Sequence, residues 1–511
     1  MNASPVSLTS ISLSLVSHTN AGKTTLARTL LGRDVGTVRD APHVTEFADV
    51  FTMLETSDGE RLLLWDTPGF GDSVRLVKRL RGAGHPMGWF MSEVWDRWRD
   101  RGFWASQQAM RNVRDEADVM LYLVNAAESP EAAGYVHPEM ELLGWIDKPV
   151  IVLLNQLGAP RDGALEAAEV ERWRSHLSAH AQVRAVLPLD AFARCWVQEI
   201  TLLQAIEAAL TDAQRALMAR LRAAWQAQRL QTFEAAMASL AHSLARLAGS
   251  AEVVPEAGSF STRLSQVGAA IGVGDKSQTP TVRAQNVLAE RLDAEVRANT
   301  LELIRLYGLE GQAQGEILTR LATHFETRLR MDEGKAALWG GIVSGALVGL
   351  KADILSGGLT LGGGLLAGGL IGALGAAGLA RCVNLVRGTD RSWVTWNAPA
   401  LDQMLEAALL RYLAVAHFGR GRGDWAQGES PAHWREVIQR SLATQRERVA
   451  ALWRERDGPG GEAVAEGESE KLMAAALEPI VAHAARAALG TLYPTAPALG
   501  ESAQTARQAS Q

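Results

Sequence analysis

The sequence predicts an α/β domain with a mostly parallel sheet and one antiparallel edge, followed by an all-α domain that contains a glycine-zipper hydrophobic hairpin. Three observations predict it. Over residues 1–210, short apolar runs alternate with helical stretches, the pattern of a parallel α/β sheet. From about residue 211 the apolar positions step by three and four, as on one face of a helix. Fourteen of the 48 glycines fall between Gly340 and Gly378, in a stretch almost free of charge. At 511 residues the chain exceeds what one core supports. Its 47% hydrophobic and 21% charged content excludes a disordered or collagen-like chain.

The elements follow in order. Residues 1–16 have no basic start and no small-residue cleavage site, so no signal peptide is expected. Ile11, Leu13 and Leu15 alternate with serines and predict a first strand. Further strands are expected at Leu62–Trp65, Val119–Val124, Val150–Leu154 and Val183–Leu187. Between Phe47 and Trp65 a hairpin turned at Asp58-Gly59 supplies the antiparallel edge. Leu230, Phe233, Met237, Leu240, Leu244 and Leu247 then form one helical stripe. The expected organisation is 1–210, with a Trp-rich insertion at 73–114; 211–335, helical with a linker near 249–282; a hairpin at 336–380; 381–494, helical; and a disordered tail at 495–511.

Two motifs carry phosphate chemistry. Ser17-His-Thr-Asn-Ala-Gly-Lys-Thr24 follows the first strand and precedes a helical run, and it fits the phosphate-loop template with Ser17 in place of the first glycine. Backbone N–H groups at the helix start surround the phosphates, Lys23 reaches the β/γ oxygens, and the Thr24 hydroxyl binds Mg²⁺. Asp66-Thr-Pro-Gly69 ends the strand Leu62–Trp65. An acidic residue there can hold the Mg²⁺ water shell, and the Gly69 amide can contact a γ-phosphate.

These residues resemble the Era/TrmE group of P-loop GTPases over about 1–210. The resemblance implies GTP/GDP as ligand, Mg²⁺ as cofactor and GTP hydrolysis. Asn20 matches an asparagine with which some members coordinate K⁺. Phe70 stands where Ras-like enzymes place a catalytic glutamine; the resembling group is hydrophobic there and relies on other groups or on dimerisation, which implies a homodimer through this domain. The switch-one threonine is Thr45, with Thr37 as a rival. The residues so assigned to nucleotide are Asn20, Ala21, Gly22, Lys23, Thr24, Thr25, Asp66, Gly69, Asn155 and Gln156. Those assigned to hydrolysis are Lys23, Thr24, Asn20, Thr45 and Gly69, and those to Mg²⁺ are Thr24, Thr45 and Asp66.

The base-recognition motif departs from the group. Asn155-Gln-Leu-Gly158 replaces Asn-Lys-x-Asp, and Gly158 has no side chain to accept from guanine. Losing a bidentate contact relaxes base preference by about 1–3 kcal/mol, so guanine against adenine stays open. The later base motif is equally loose at Leu189-Asp190-Ala191.

Within 73–114, Met91, Trp95 and Trp98 share a helical face opposite Glu93, Arg97 and Asp100. Two readings stand: an insertion packing on its own domain, and a contact to a partner, a membrane or the C-terminal domain. The apolar runs Ala336–Leu350 and Ile354–Ala380 are broken by Lys351 and Asp353. At about 1.5 Å per residue the second reaches about 40 Å, enough for a bilayer core of about 30 Å. Gly341, Gly345 and Gly349 lie four apart, as do Gly364, Gly368 and Gly372, which lets two backbones approach closely. Lys335, Arg381, Arg387 and Arg391 flank the pair and favour cytoplasmic ends. A buried soluble hairpin is the competing reading, because the tip charges are expensive in lipid.

Cys195 and Cys382 suggest a reducing compartment and pack as small apolar residues. The net charge of −6 leaves no nucleic-acid footprint. His18 and His43 have no spacing for metal or catalysis, which leaves structural or phosphate-proximal roles. The resulting expectation is a cytoplasmic GTPase held to the inner membrane through 336–380. Its rivals are a membrane-remodelling or pore-forming protein gated by nucleotide, and a soluble nucleotide-dependent scaffold. The C-terminal half resembles a proteobacterial family of predicted GTPases with a helical domain of this kind.

Overall fold

The structure is a computed structural model that describes residues 9–19, 21–32, 48–71, 73–81, 101–155, 163–189, 195–254, 279–309, 317, 382–387, 392–418, 432–457, 466–494 and 496. The hairpin expected at 336–380, the helical aromatic face expected at 91–98 and, apart from Ala496, the tail expected at 495–511 lie outside these residues. The chain divides into two compact units: Met1–Gln231 with Ala416–Ala426 and Tyr493–Gln511, and Thr232–Val415 with Gln427–Leu492.

The first unit is built on a six-stranded sheet. Its strands are β1 (Ser10–Ser17), β2 (Asp49–Glu55), β3 (Arg61–Asp66), β4 (Val119–Asn125), β5 (Val150–Asn155) and β6 (Val183–Pro188), in the order β2-β3-β1-β4-β5-β6. All neighbours are parallel except β2 and β3, which form the expected hairpin. Its turn sits at Gly59, whose φ of +78° is one that L side chains rarely adopt. Helices α1 (Lys23–Leu31), α2 (Ser73–Leu80), α3 (Arg101–Asp115), α4 (Val136–Gly144), α5 (Gly163–Leu177) and α6 (Trp196–Ala209) cover the sheet. Leu121 and Leu123 of β4 join one core with Leu26 and Leu30 of α1, while Met120, Tyr122 and Val124 join the other with Leu76 and Met140. Burial on both faces explains why β4 and β5 read as unbroken apolar runs.

Helix α7 (Asp212–Gly249) runs on from the first unit into the second. Phe233, Met237, Leu240, Leu244 and Leu247 of the expected stripe are buried. The second unit adds α8 (Pro280–Leu306), α9 (Ala398–Ala416), α10 (Ala432–Ala443), α11 (Arg446–Arg456) and α12 (Glu466–Leu492). Thr279 caps α8, accepting from Val282 N at 3.3 Å, and Pro280 occupies the first turn. In α12, Gly467–Leu492 is long and apolar enough to cross a membrane. However, Leu477, Ile480, Val481, Ala484, Ala488 and Leu489 are buried within the protein, the stripe of a core helix.

The expectation of an all-helical second domain needs one correction. The unit is mostly helical, but β7 (Ala251–Val254), β8 (Val383–Arg387) and β9 (Ser392–Trp396) form an antiparallel sheet ordered β7-β9-β8. β7 lies inside the stretch read as a linker. Val394 and Trp396 of β9 are fully buried. These strands are four or five residues long, and β7 pairs with a partner distant in sequence, so local periodicity carries little trace of them.

Candidate nucleotide site

The site forms where β1 and β3 end side by side. Their register pairs Leu15 with Asp66, so the loop leaving β1 and the acidic end of β3 emerge together at the carboxyl edge of the sheet. The chain then turns at Gly22 into α1, with φ of +88°. A Cβ there would lie 2.6 Å from Asn155 Nδ2, so the position requires glycine twice, by conformation and by space. Asn155, at the end of β5, is fully buried and donates from Nδ2 to Ala21 O at 2.8 Å. Its role here is to hold the loop.

Lys23 opens α1 and is buried, with Nζ donating to Ser17 Oγ at 2.9 Å. Ser17 in turn donates to its neighbour's carbonyl, His18 O, at 2.5 Å. The hydroxyl that replaces the template's first glycine therefore receives the lysine. Burial pushes the Lys23 ammonium below its ordinary range, against the opposing pull of Asp66 and Glu139. Thr24 Oγ1 donates to Asp66 Oδ2 at 2.6 Å. Asp66 is buried, and its Oδ1 has no hydrogen-bond partner among the described residues. Burial pushes this carboxyl up to about 6, with the Thr24 hydroxyl and Lys23 pulling the other way.

That donor set fits Mg²⁺. A hydroxyl and a carboxylate with a spare buried oxygen are hard ligands, and Mg²⁺ needs few of them because it keeps waters and phosphate oxygens. Among the described residues no group of three or more His, Cys, Asp or Glu could hold a metal by itself. Gly69 is also closely packed: an added Cβ would meet Lys23 Nζ at 3.0 Å and Thr19 Cα at 3.0 Å. Phe70, in the position of the Ras-like glutamine, is fully buried in the core.

The structure thus brings together Ala21, Gly22, Lys23, Thr24, Asp66, Gly69 and Asn155. Thr25 follows Thr24 on α1 and is buried. Asn20, Thr45, Thr37, Gln156, Gly158 and Asp190 lie outside the described residues. Sequence reasoning missed Ser17 as the partner of Lys23; its departure from the template was the available signal. It also missed Glu139, which nothing local marks. His18, given a structural or phosphate-proximal role, bonds that carboxylate through Nδ1 at 2.7 Å.

A parallel sheet, a phosphate loop and an acidic strand end define a P-loop GTPase domain. Comparison with known families agrees. A family described as "50S ribosome-binding GTPase" matches residues 12–156. A second, "Domain of unknown function (DUF3482)", matches residues 176–478, more than half of the chain, and the chain belongs to that family. Among solved structures it is similar to Era in complex with MgGDPNP and a segment of 16S ribosomal RNA, at 18% identity and TM-score 0.30, over 40% of this chain and 58% of that one. It is also similar to an Aquifex aeolicus Era variant bound to GDP·AlF4⁻, at 16% identity and TM-score 0.29, over 57% of this chain and 89% of that one. A third is a bacterial selenocysteine-specific elongation factor, at 15% identity and TM-score 0.24, over 35% of this chain and 25% of that one. The chain thus spans less than two thirds of the first of these. The comparison with curated proteins finds no match.

Proposed function

We propose that this GTP-binding protein hydrolyses GTP slowly and couples the state of its switch loops to a helical region that meets the membrane through residues 336–380. The observation that carries the first part is the convergence of Lys23, the Thr24–Asp66 pair and Gly69 at one strand edge. Catalysis there is positioning and charge neutralisation. Lys23 supplies a buried cation for the β/γ oxygens, and the N-terminus of α1 supplies backbone donors. Mg²⁺, held by Thr24 and Asp66 and by Thr45 as the resemblance implies, would neutralise the β- and γ-phosphate oxygens. Phe70 supports slow turnover, because a buried phenyl ring orients no water.

The membrane part is supported by the length, lack of charge and glycine spacing of 336–380 and by its basic flanks. On this reading the protein is cytoplasmic and bound to the inner membrane. K⁺ at Asn20 and a homodimer through the GTPase domain belong to the same reading. The test uses the full chain: competition of GTP, ATP and XTP for the site, GTP turnover in K⁺ and in Na⁺, and flotation with vesicles of anionic phospholipid. GTP binding with measurable turnover, and flotation lost on deleting 336–380, are expected. ATP binding as tightly as GTP overturns the nucleotide assignment. A chain that never floats overturns the membrane one, and equal rates in K⁺ and Na⁺ remove the K⁺ part.

A further inference from the structure

The GTPase domain buries a carboxylate that the reading above leaves without a task. Glu139, on α4, is fully buried. Its Oε1 lies 2.7 Å from His18 Nδ1, and its Oε2 accepts from Tyr122 Oη at 2.7 Å. Burying a carboxylate is costly unless its oxygens are satisfied. Here that need is met by partners from two places, β4 and the start of the phosphate loop. Burial and Glu139 together push the Tyr122 hydroxyl well above its ordinary value, so it stays a donor.

His18 is held on several sides. Its ring stacks on Tyr135, centroids 4.5 Å apart and 23° between planes. Its backbone forms a parallel bridge with Phe70. Phe70 N donates to Ser17 O at 2.8 Å, and Thr19 N donates to Phe70 O at 3.2 Å. The start of the loop is thereby laced to the segment that follows Asp66. Both neighbours of His18 carry the chemistry: Ser17 receives Lys23, and Thr19 packs against Gly69. The charge of Glu139 also reaches the Lys23 ammonium and favours its protonated form. Two residues further along α4, Glu141 pairs with Arg81 just beyond α2, at 2.9 and 2.5 Å.

We propose that Glu139 is a positioning residue of the nucleotide site, acting through His18 to hold the start of the phosphate loop against Gly69 and Phe70. The proposal rests on the GTPase reading. The amide of Gly69 and the Lys23 ammonium must be aligned on the γ-phosphate at the moment of transfer, and alignment acts on rate more than on ground-state binding. Losing the tether therefore lowers kcat and leaves KM and GDP affinity nearly unchanged.

The experiment compares the wild-type full chain with E139A, E139Q and H18F in GTP affinity, GDP affinity, kcat and KM. Circular dichroism and a thermal midpoint establish that each variant is folded. E139Q keeps an oxygen for His18, and H18F keeps the stack on Tyr135 while deleting the Nδ1 contact. The expected result is a fall in kcat of about 10-fold or more in E139A and H18F, KM within about 2-fold, and recovery of most of the rate in E139Q. Folded E139A and H18F with wild-type kcat overturn the proposal. So does a loss of GTP and GDP affinity with kcat unchanged, which marks a merely structural support. If the wild-type chain neither binds nor turns over GTP, the GTPase reading falls and takes the proposal with it, an outcome visible before any variant is measured.

Discussion

Replacing Asp66 by asparagine is expected to stabilise the empty protein while removing the carboxylate proposed to hold Mg²⁺. The folded carboxyl titrates at about 6, against an ordinary value of 3.8. The folded state therefore binds a proton more readily than the unfolded state between those values, and stability falls as pH rises through them. A shift of about 2 units, at about 1.4 kcal/mol each, puts the cost of ionised Asp66 near 3 kcal/mol at pH 7.5. Asparagine removes that cost and keeps an oxygen for Thr24. Its amide then sits where Oδ1 has no partner among the described residues, which costs about 1 kcal/mol. The net gain of about 2 kcal/mol corresponds to a rise of about 4–8 °C in the midpoint of a domain this size. The assay is thermal unfolding in EDTA without nucleotide, followed at pH 7.5 and at pH 4. The gain is present at pH 7.5 and gone at pH 4, where the wild-type carboxyl is largely protonated in the folded state and about half protonated in the unfolded one. With Mg·GTP added the order reverses, because only the wild type gains ligand stabilisation. A midpoint lowered by D66N at pH 7.5, or an equal shift at both pH values, refutes the burial argument.

Other changes follow from the same geometry. Gly22→Ala forces an L side chain to φ +88° and onto Asn155; it is expected to cost about 1–2 kcal/mol from conformation alone, and calorimetry should show GTP binding lost with it. Lys23→Met removes an ammonium that burial already disfavours, so the midpoint without nucleotide is expected to stay within about 1 kcal/mol of wild type, while GTP binding drops below detection. Asn155→Ala removes the buried hydrogen bond to Ala21 O and is expected to cost about 1–3 kcal/mol in denaturant unfolding.

What the sequence shows of this molecule depends on how local the cause is. β4 and β5 are legible because burial on both faces makes nearly every residue apolar, and the turn at Asp58-Gly59 because L side chains rarely adopt its φ. Gly22, Lys23, Thr24, Asp66 and Gly69 are legible because phosphate chemistry ties residue type to spacing. The second sheet is not, since β7 finds β9 far along the chain and neither alternates strongly enough to stand out. Glu139 is hidden for a related reason. It reads as one acidic residue on an amphipathic helix, and only the tertiary fold brings His18 and Tyr122 to its two oxygens.

Asn155 bears on the departure at Gly158. In this chain Asn155 holds the phosphate loop, whereas the resembling group's acceptor for guanine falls at position 158, and the two duties need not vary together. Asn155 is fully buried, bonds the Ala21 carbonyl and occupies the space a side chain at Gly22 would take. Each of these duties concerns the loop and would persist with any purine nucleotide. Gly158 is a glycine where the group has the acceptor for guanine. On the proposed reading, holding the loop and reading the base are therefore separable duties. It follows that N155A weakens GTP, ATP and XTP by the same factor and leaves their ratios intact. A changed ratio would mean that Asn155 reaches the base and that the two duties are one.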